Sequence, residues 1–190
     1  MMEESSRFLS LSGLSGVLVG IYALLGAFMA ESIIYTNKLF GWLLKENILP
    51  DLLLLAAIVL VLSLATVILL TWRKAQKAGH KIWNPGSRLM LINLALPLIS
   101  GGLFILIFIF KGVYEMAAPG TLIFYGLALI NAAKFTRQEI FYMGLIQIGL
   151  GILAALLPAH ALLLWALGFG AVHIFYGTLM YFRYEHKSNN

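Results

Sequence analysis

The sequence predicts an all-α, polytopic transmembrane helical bundle of six helices with both termini in the cytoplasm, and three observations predict it. Of the 190 residues 61% are hydrophobic and only 11% charged, far more apolar surface than a soluble domain of this length could bury. Six apolar stretches approach the about 20 residues that a helix needs to cross a bilayer. Lys and Arg fall on alternate sides of these stretches ten to three, as the positive-inside bias requires.

The spans are expected at 8–30, 49–72, 89–110, 118–133, 140–157 and 161–182, in a single transmembrane domain over 1–190. Phe8 to Ala30 is long for the core of a cleavable signal, and Glu3 and Glu4 stand where such a signal is basic, so the stretch reads as a retained helix. The fourth span is the shortest. Lys111 and Lys134 bracket it, and Pro119-Gly120 suggests an outer turn with Pro119 at the first helical position. Segment 31–48 mixes apolar, aromatic and charged residues, so it either lies in the outer interface or extends the first helix. Segment 73–88 reads as a basic cytoplasmic loop with a turn at Asn84-Pro85-Gly86.

The cytoplasmic group is Arg7, Arg73, Lys74, Lys77, Lys81, Arg88, Lys134, Arg137, Arg183 and Lys187; Lys38, Lys45 and Lys111 lie opposite. Acidic residues divide evenly, which fits their small influence on insertion. Tyr35, Trp42, Tyr114 and Trp165 fall near the outer interface, and Trp72, Trp83, Tyr142, Tyr181 and Tyr184 near the inner one, as aromatic anchors do. The net charge of +5 is therefore a topological signal and no sign of a nucleic-acid partner. With no cysteine, disulfides, thiolate metal sites and S-lipidation are excluded.

Chemistry has few places to hide. No carboxylate is expected deep in a span, and His173 is the one deeply placed ionisable residue. Ala166, Gly170, His173 and Gly177 share one face of the sixth helix, and Gly144, Gln147, Gly151, Ala154 and Pro158 share one face of the fifth. The Pro158-Ala159-His160 connection makes the two an antiparallel hairpin, in which Gln147 and His173 are expected to meet at one depth. Their pairing would either orient the imidazole toward a ligand or act as a structural hydrogen bond of about 0.6 to 2 kcal/mol.

On the third helix Asn93, Pro97, Ser100 and Phe104 share a face. Pro97 cannot bond the carbonyl of Asn93, so a kink is expected there, serving either a cavity or plain helix distortion. Asn131 is placed to pair with Asn93, and Tyr125 to join a polar cluster with them or with His173. Thus His173, Gln147, Tyr125, Asn131, Asn93 and Ser100 are the candidate ligand-binding residues. Gly16 and Gly20 form a small-residue packing surface on the first helix, used within the bundle or for homodimerisation. Arg73, Lys74, Lys77, Lys81 and Arg88 with Trp83 would suit anionic lipid headgroups.

Gly13-Leu14-Ser15-Gly16 resembles the Gly-x-Ser-Gly of rhomboid intramembrane proteases, but the serine is on the first helix instead of the fourth and His173 to Gly177 departs from that family's spacing. No catalytic residue, metal site or cofactor is assigned. The runs Arg73 to Gly102, Gly126 to Ala132 and Gly168 to Glu185 resemble a group of small, uncharacterised bacterial integral membrane proteins. That resemblance implies a multi-pass protein of the bacterial cytoplasmic membrane and brings no activity. The function expected is that of a structural or accessory membrane subunit, partnered by lipid and by another membrane protein or a second copy. A small-molecule or lipid transporter or channel near His173 and Pro97 is the alternative, and an intramembrane enzyme or cofactor binder the remote one.

Overall fold

Long apolar runs without a breaker must satisfy their backbone internally in lipid, and helices are the simplest way to do so. The computed structural model describes residues 13–36, 48–77, 79 and 83–185; among these every regular element is helical. The elements are α1 (Gly13–Thr36), α2 (Leu49–Lys77), α3 (Pro85–Phe110), a 3-10 turn (Tyr114–Met116), α4 (Ala117–Ala133), α5 (Gln138–Leu156), a second 3-10 turn (Pro158–His160), α6 (Ala161–Ala166) and α7 (His173–Met180). A π-helical segment, Leu167–Val172, joins α6 to α7, and another, Tyr181–Glu185, follows α7. Six helical runs are long and apolar enough to cross a membrane, the sixth being Pro158–Tyr184. The first residues of the first expected span, 8–12, lie outside the described residues, as do Trp42, Lys38, Lys45 and Lys81.

The helix ends depart from the expected ones where charge meets helix. α1 continues to Thr36, so residues 31–36 extend the first helix; 37–47 lie outside the described residues. α2 runs on to Lys77 and carries Lys74 and Lys77 in its last turn, where cations favour the negative end of the helix dipole. Asn84-Pro85-Gly86, expected as a turn, starts α3 instead. Asn84 is the N-cap and Pro85 the first helical residue, a position where its missing N–H costs nothing. The cap is reciprocal: the Ser87 N–H donates to Asn84 Oδ1 at 2.8 Å and the Asn84 N–H to Ser87 Oγ at 2.9 Å. Asn84→Ala is expected to fray this turn by about 1 kcal/mol, read as about fivefold faster hydrogen exchange at the Ser87 amide. Unchanged protection there would show that the cap contributes nothing.

α3 closes at Gly112, whose φ of 81° is the left-handed conformation that glycine adopts without strain. The fourth run is lengthened by the 3-10 turn, reaching 20 residues over Tyr114–Ala133. Pro119 is the third residue of α4, not the first, still within the turn whose N–H groups have no intrahelical acceptor.

Among the described residues the helices gather in two compact units, one within 71–168 and the other within 13–70 and 169–185. In the first, α3, α4 and α5 pack as antiparallel neighbours. Phe124 closes over Gly101 and its ring lies 5.9 Å from Phe104, while Ile105 covers Gly120. α4 and α5 touch backbone to backbone: a Cβ on Gly126 would lie 2.6 Å from the Gly144 carbonyl oxygen, and one on Gly144 2.7 Å from that of Gly126. Gly151 sits against Ile123 and Pro119 further along the same seam.

In the second unit α1 runs antiparallel to α7. Gly13 and Gly16 meet Gly177, and Gly20 meets Ile174 and the Gly170 carbonyl. α2 lies beside α1 through Val59 against Gly26 and the Thr66 hydroxyl donating to Tyr22 Oη at 3.4 Å. Only 6% of the most apolar stretch of α2 is buried, so that stretch turns nearly all its side chains outward.

Candidate functional site

The interior polar positions identify where chemistry could occur, and the first is Gln147. It is fully buried in α5. Its Nε2 donates to the Gly168 carbonyl at 2.8 Å, and its Oε1 has no hydrogen-bond partner among the described residues. A Cβ on Gly168 would stand 2.5 Å from Gln147 Oε1 and 2.5 Å from Leu122 Cδ2, so an added methyl would have to displace the tips of both side chains. The carbonyl belongs to the π segment Leu167–Val172. A widened turn distorts the regular ladder, and a side-chain donor entering it is one of the ways such a distortion is held.

The partner of Gln147 is thus a backbone carbonyl five residues ahead of the imidazole expected for it. His173 itself is 5% exposed and stacks on Phe169, one turn earlier, with ring centroids 5.8 Å apart and planes 14° from parallel. The hairpin expected between the fifth and sixth spans is kept where Gly168 meets Gln147 and Leu150, but its other glycines line two different seams. Gly144 and Gly151 face α4, while Gly170 and Gly177 face α1. Gly168 meets Gln147 and Leu150, and Gly170 meets Leu24 and Gly20. Gly16 and Gly20 serve this internal seam with the sixth run.

The kink face of α3 is occupied by its own backbone. Pro97 is buried, but Asn93 Nδ2 donates to the Leu89 carbonyl at 2.9 Å and the Ser100 hydroxyl to the Leu96 carbonyl at 2.8 Å. The Asn93 amide therefore turns back along α3 instead of across to Asn131, which is half-buried in the last turn of α4. Tyr125 is half-buried at mid-helix. Near the other end of α4, Trp165 Nε1 donates to Thr121 Oγ1 at 3.1 Å, and that hydroxyl donates to the Ala117 and Ala118 carbonyls, both at 2.9 Å.

Three positions escaped the sequence reading. Gly168 stood outside the small-residue stripe of the sixth helix, and no sequence pattern singled out Thr121. Asp51, counted among outer charges, is 6% exposed in the first turn of α2, where a carboxylate is favoured by the helix dipole. Among the described residues no three His, Asp or Glu side chains gather to hold a metal ion.

Of the basic candidates, Arg73, Lys77 and Arg88 are exposed and Lys74 half-buried; Lys81 lies outside the described residues. Arg88 lines an open groove of about 510 Å³ with Trp83, Asn84, Pro85, Leu89 and Ile92. Comparison with protein families, with characterised proteins and with solved structures returns no match.

Proposed function

We propose that the chain is an integral membrane protein that crosses the bilayer six times with both termini in the cytoplasm, and that it works as a structural or accessory membrane subunit and not as an enzyme. The observation that carries the functional part is the destination of four polar groups in its apolar helices. The Gln147 amide, the Asn93 amide and the Ser100 and Thr121 hydroxyls all donate to backbone carbonyls within one unit. Polar side chains used this way tie helices together or relieve their own helix, and leave little to bind a solute. α2, with its sparse burial, offers the lateral surface that such a subunit would turn to lipid or to a neighbour.

The topology is supported by the ten-to-three partition of basic residues and by antiparallel packing of neighbours inside each unit. Exposed Tyr35, Tyr114, Trp72 and Trp83 at helix ends fit interfacial anchors. The resemblance to small bacterial integral membrane proteins makes the bacterial cytoplasmic membrane the address we propose. The absence of cysteine makes a direct test clean: a maleimide that cannot cross the membrane should label Lys111→Cys from outside intact cells and leave Lys77→Cys unlabelled. The reverse pattern would invert the topology.

For the subunit role, gentle extraction should yield a stoichiometric complex with a second membrane polypeptide or with itself. The competing reading is a transporter or channel, favoured by a buried acceptor that has no donor among the described residues, Gln147 Oε1. A chain that purifies alone as a monomer and gives liposomes a solute leak lost in Gln147→Ala would establish that reading in place of ours.

A further inference from the structure

Resting on the six-span reading above, we propose that the groove at the start of α3 binds an anionic phospholipid, with Arg88 holding the headgroup phosphate and α3 itself carrying the acyl chain. The groove combines one cation, one indole and an aliphatic floor, and no carboxylate lines it. Its donors are not those of the helix end. The Ser87 and Asn84 N–H groups are closed into the reciprocal cap and the Arg88 N–H donates to the Asn84 carbonyl at 3.0 Å, so the exposed guanidinium is the charged group that the groove offers an anion. A guanidinium presents five N–H donors in a planar fork that matches phosphate oxygens two at a time.

The source of the phosphate is decided by what continues from the groove. Leu89 and Ile92 form its floor, and Leu96, Ile99 and Leu103 extend the same line at alternating steps of three and four residues, all of them exposed. Such spacing keeps one stripe along the helix. From Leu89 to Leu103 it rises about 21 Å, longer than the about 15 Å hydrocarbon depth of one leaflet. A free phosphate would use Arg88 and ignore the stripe; a phospholipid uses both. Trp83, 68% exposed beside the groove, supplies an indole of the kind that favours the headgroup level. The positive-inside partition puts this end of α3 in the leaflet whose surface is anionic.

The test is native mass spectrometry of the full chain in detergent with phosphatidylglycerol or phosphatidylcholine added at equal concentration. Wild type should retain phosphatidylglycerol preferentially. Arg88→Ala should weaken that retention about fivefold, Arg88→Lys should keep part of it, and Lys111→Ala on the opposite side should leave it unchanged. Arg88→Gln serves as the second neutral variant, and each variant is compared only where its melting in phosphatidylcholine matches wild type. Equal retention of the two lipids, or wild-type preference in both neutral variants, overturns the site. Inorganic phosphate should not compete; displacement of the lipid by phosphate at equal concentration would make free phosphate the ligand and overturn the lipid assignment. A chain that washes out of membranes with alkaline carbonate fails as a membrane protein altogether, whereas one that stays but shows no lipid preference loses this site alone.

Discussion

Gly177→Ala is expected to lower stability by about 3 kcal/mol or more and to part α7 from α1. The added methyl would lie 2.5 Å from the Val17 nitrogen, 2.6 Å from the Gly13 carbonyl oxygen and 2.9 Å from the Gly16 carbonyl carbon. All three are backbone atoms of α1, so no rotamer change makes room and the helices have to separate. Separation is costly in lipid, because tails are as apolar as the side chains and helix association depends on close van der Waals contact. Gly102→Ala is the matched control. Nothing lies within 4 Å of its Cβ position, so the substitution should be neutral or gain a few tenths of a kcal/mol from helix propensity. Denaturation in mixed micelles reads both variants, and a Gly177→Ala midpoint equal to that of Gly102→Ala would show that the seam is looser than its geometry.

The contrast between these two glycines marks the limit of what hydropathy and periodicity reveal. Apolar runs of spanning length identify the six helices, since bilayer thickness sets a length that residues can be counted against. Their ends were less legible. Arg73, Lys74 and Lys77 end the apolar run, yet nothing in them ends a helix, and α2 continues through all three. Asn84 and Pro85 read equally as a turn and as a cap followed by a first helical residue; the deciding feature is Ser87, three residues on, which closes the cap.

A stripe of small residues states that a helix has a close neighbour without naming it. Gly144 and Gly151 found α4, and Gly170 and Gly177 found α1, because each seam depends on how its own helix is rotated. Gln147 stood out as a polar residue in an apolar helix. Its partner could not stand out, because every residue carries a carbonyl and only the fold presents that of Gly168.

Gln147→Ala is the second large effect, an expected loss of about 2 to 4 kcal/mol, from an emptied volume at a fully buried position together with the lost bond to Gly168. Gln147→Leu should cost only about 1 kcal/mol. It fills nearly the same space and removes the donor, but it also removes Oε1, a buried acceptor with no partner whose desolvation is already unfavourable. Gly168→Ala supplies the independent check, since its methyl would meet Gln147 Oε1 and the tip of Leu122. With Gln147 shortened to Ala half of that obstruction is gone, so the two alanine substitutions together should cost less than their separate effects added, by at least about 0.5 kcal/mol. Strict additivity would mean that Gln147 and Gly168 do not hold each other. A Leu variant as unstable as the Ala variant would mean that the hydrogen bond, and not the packing, keeps the π segment against α5.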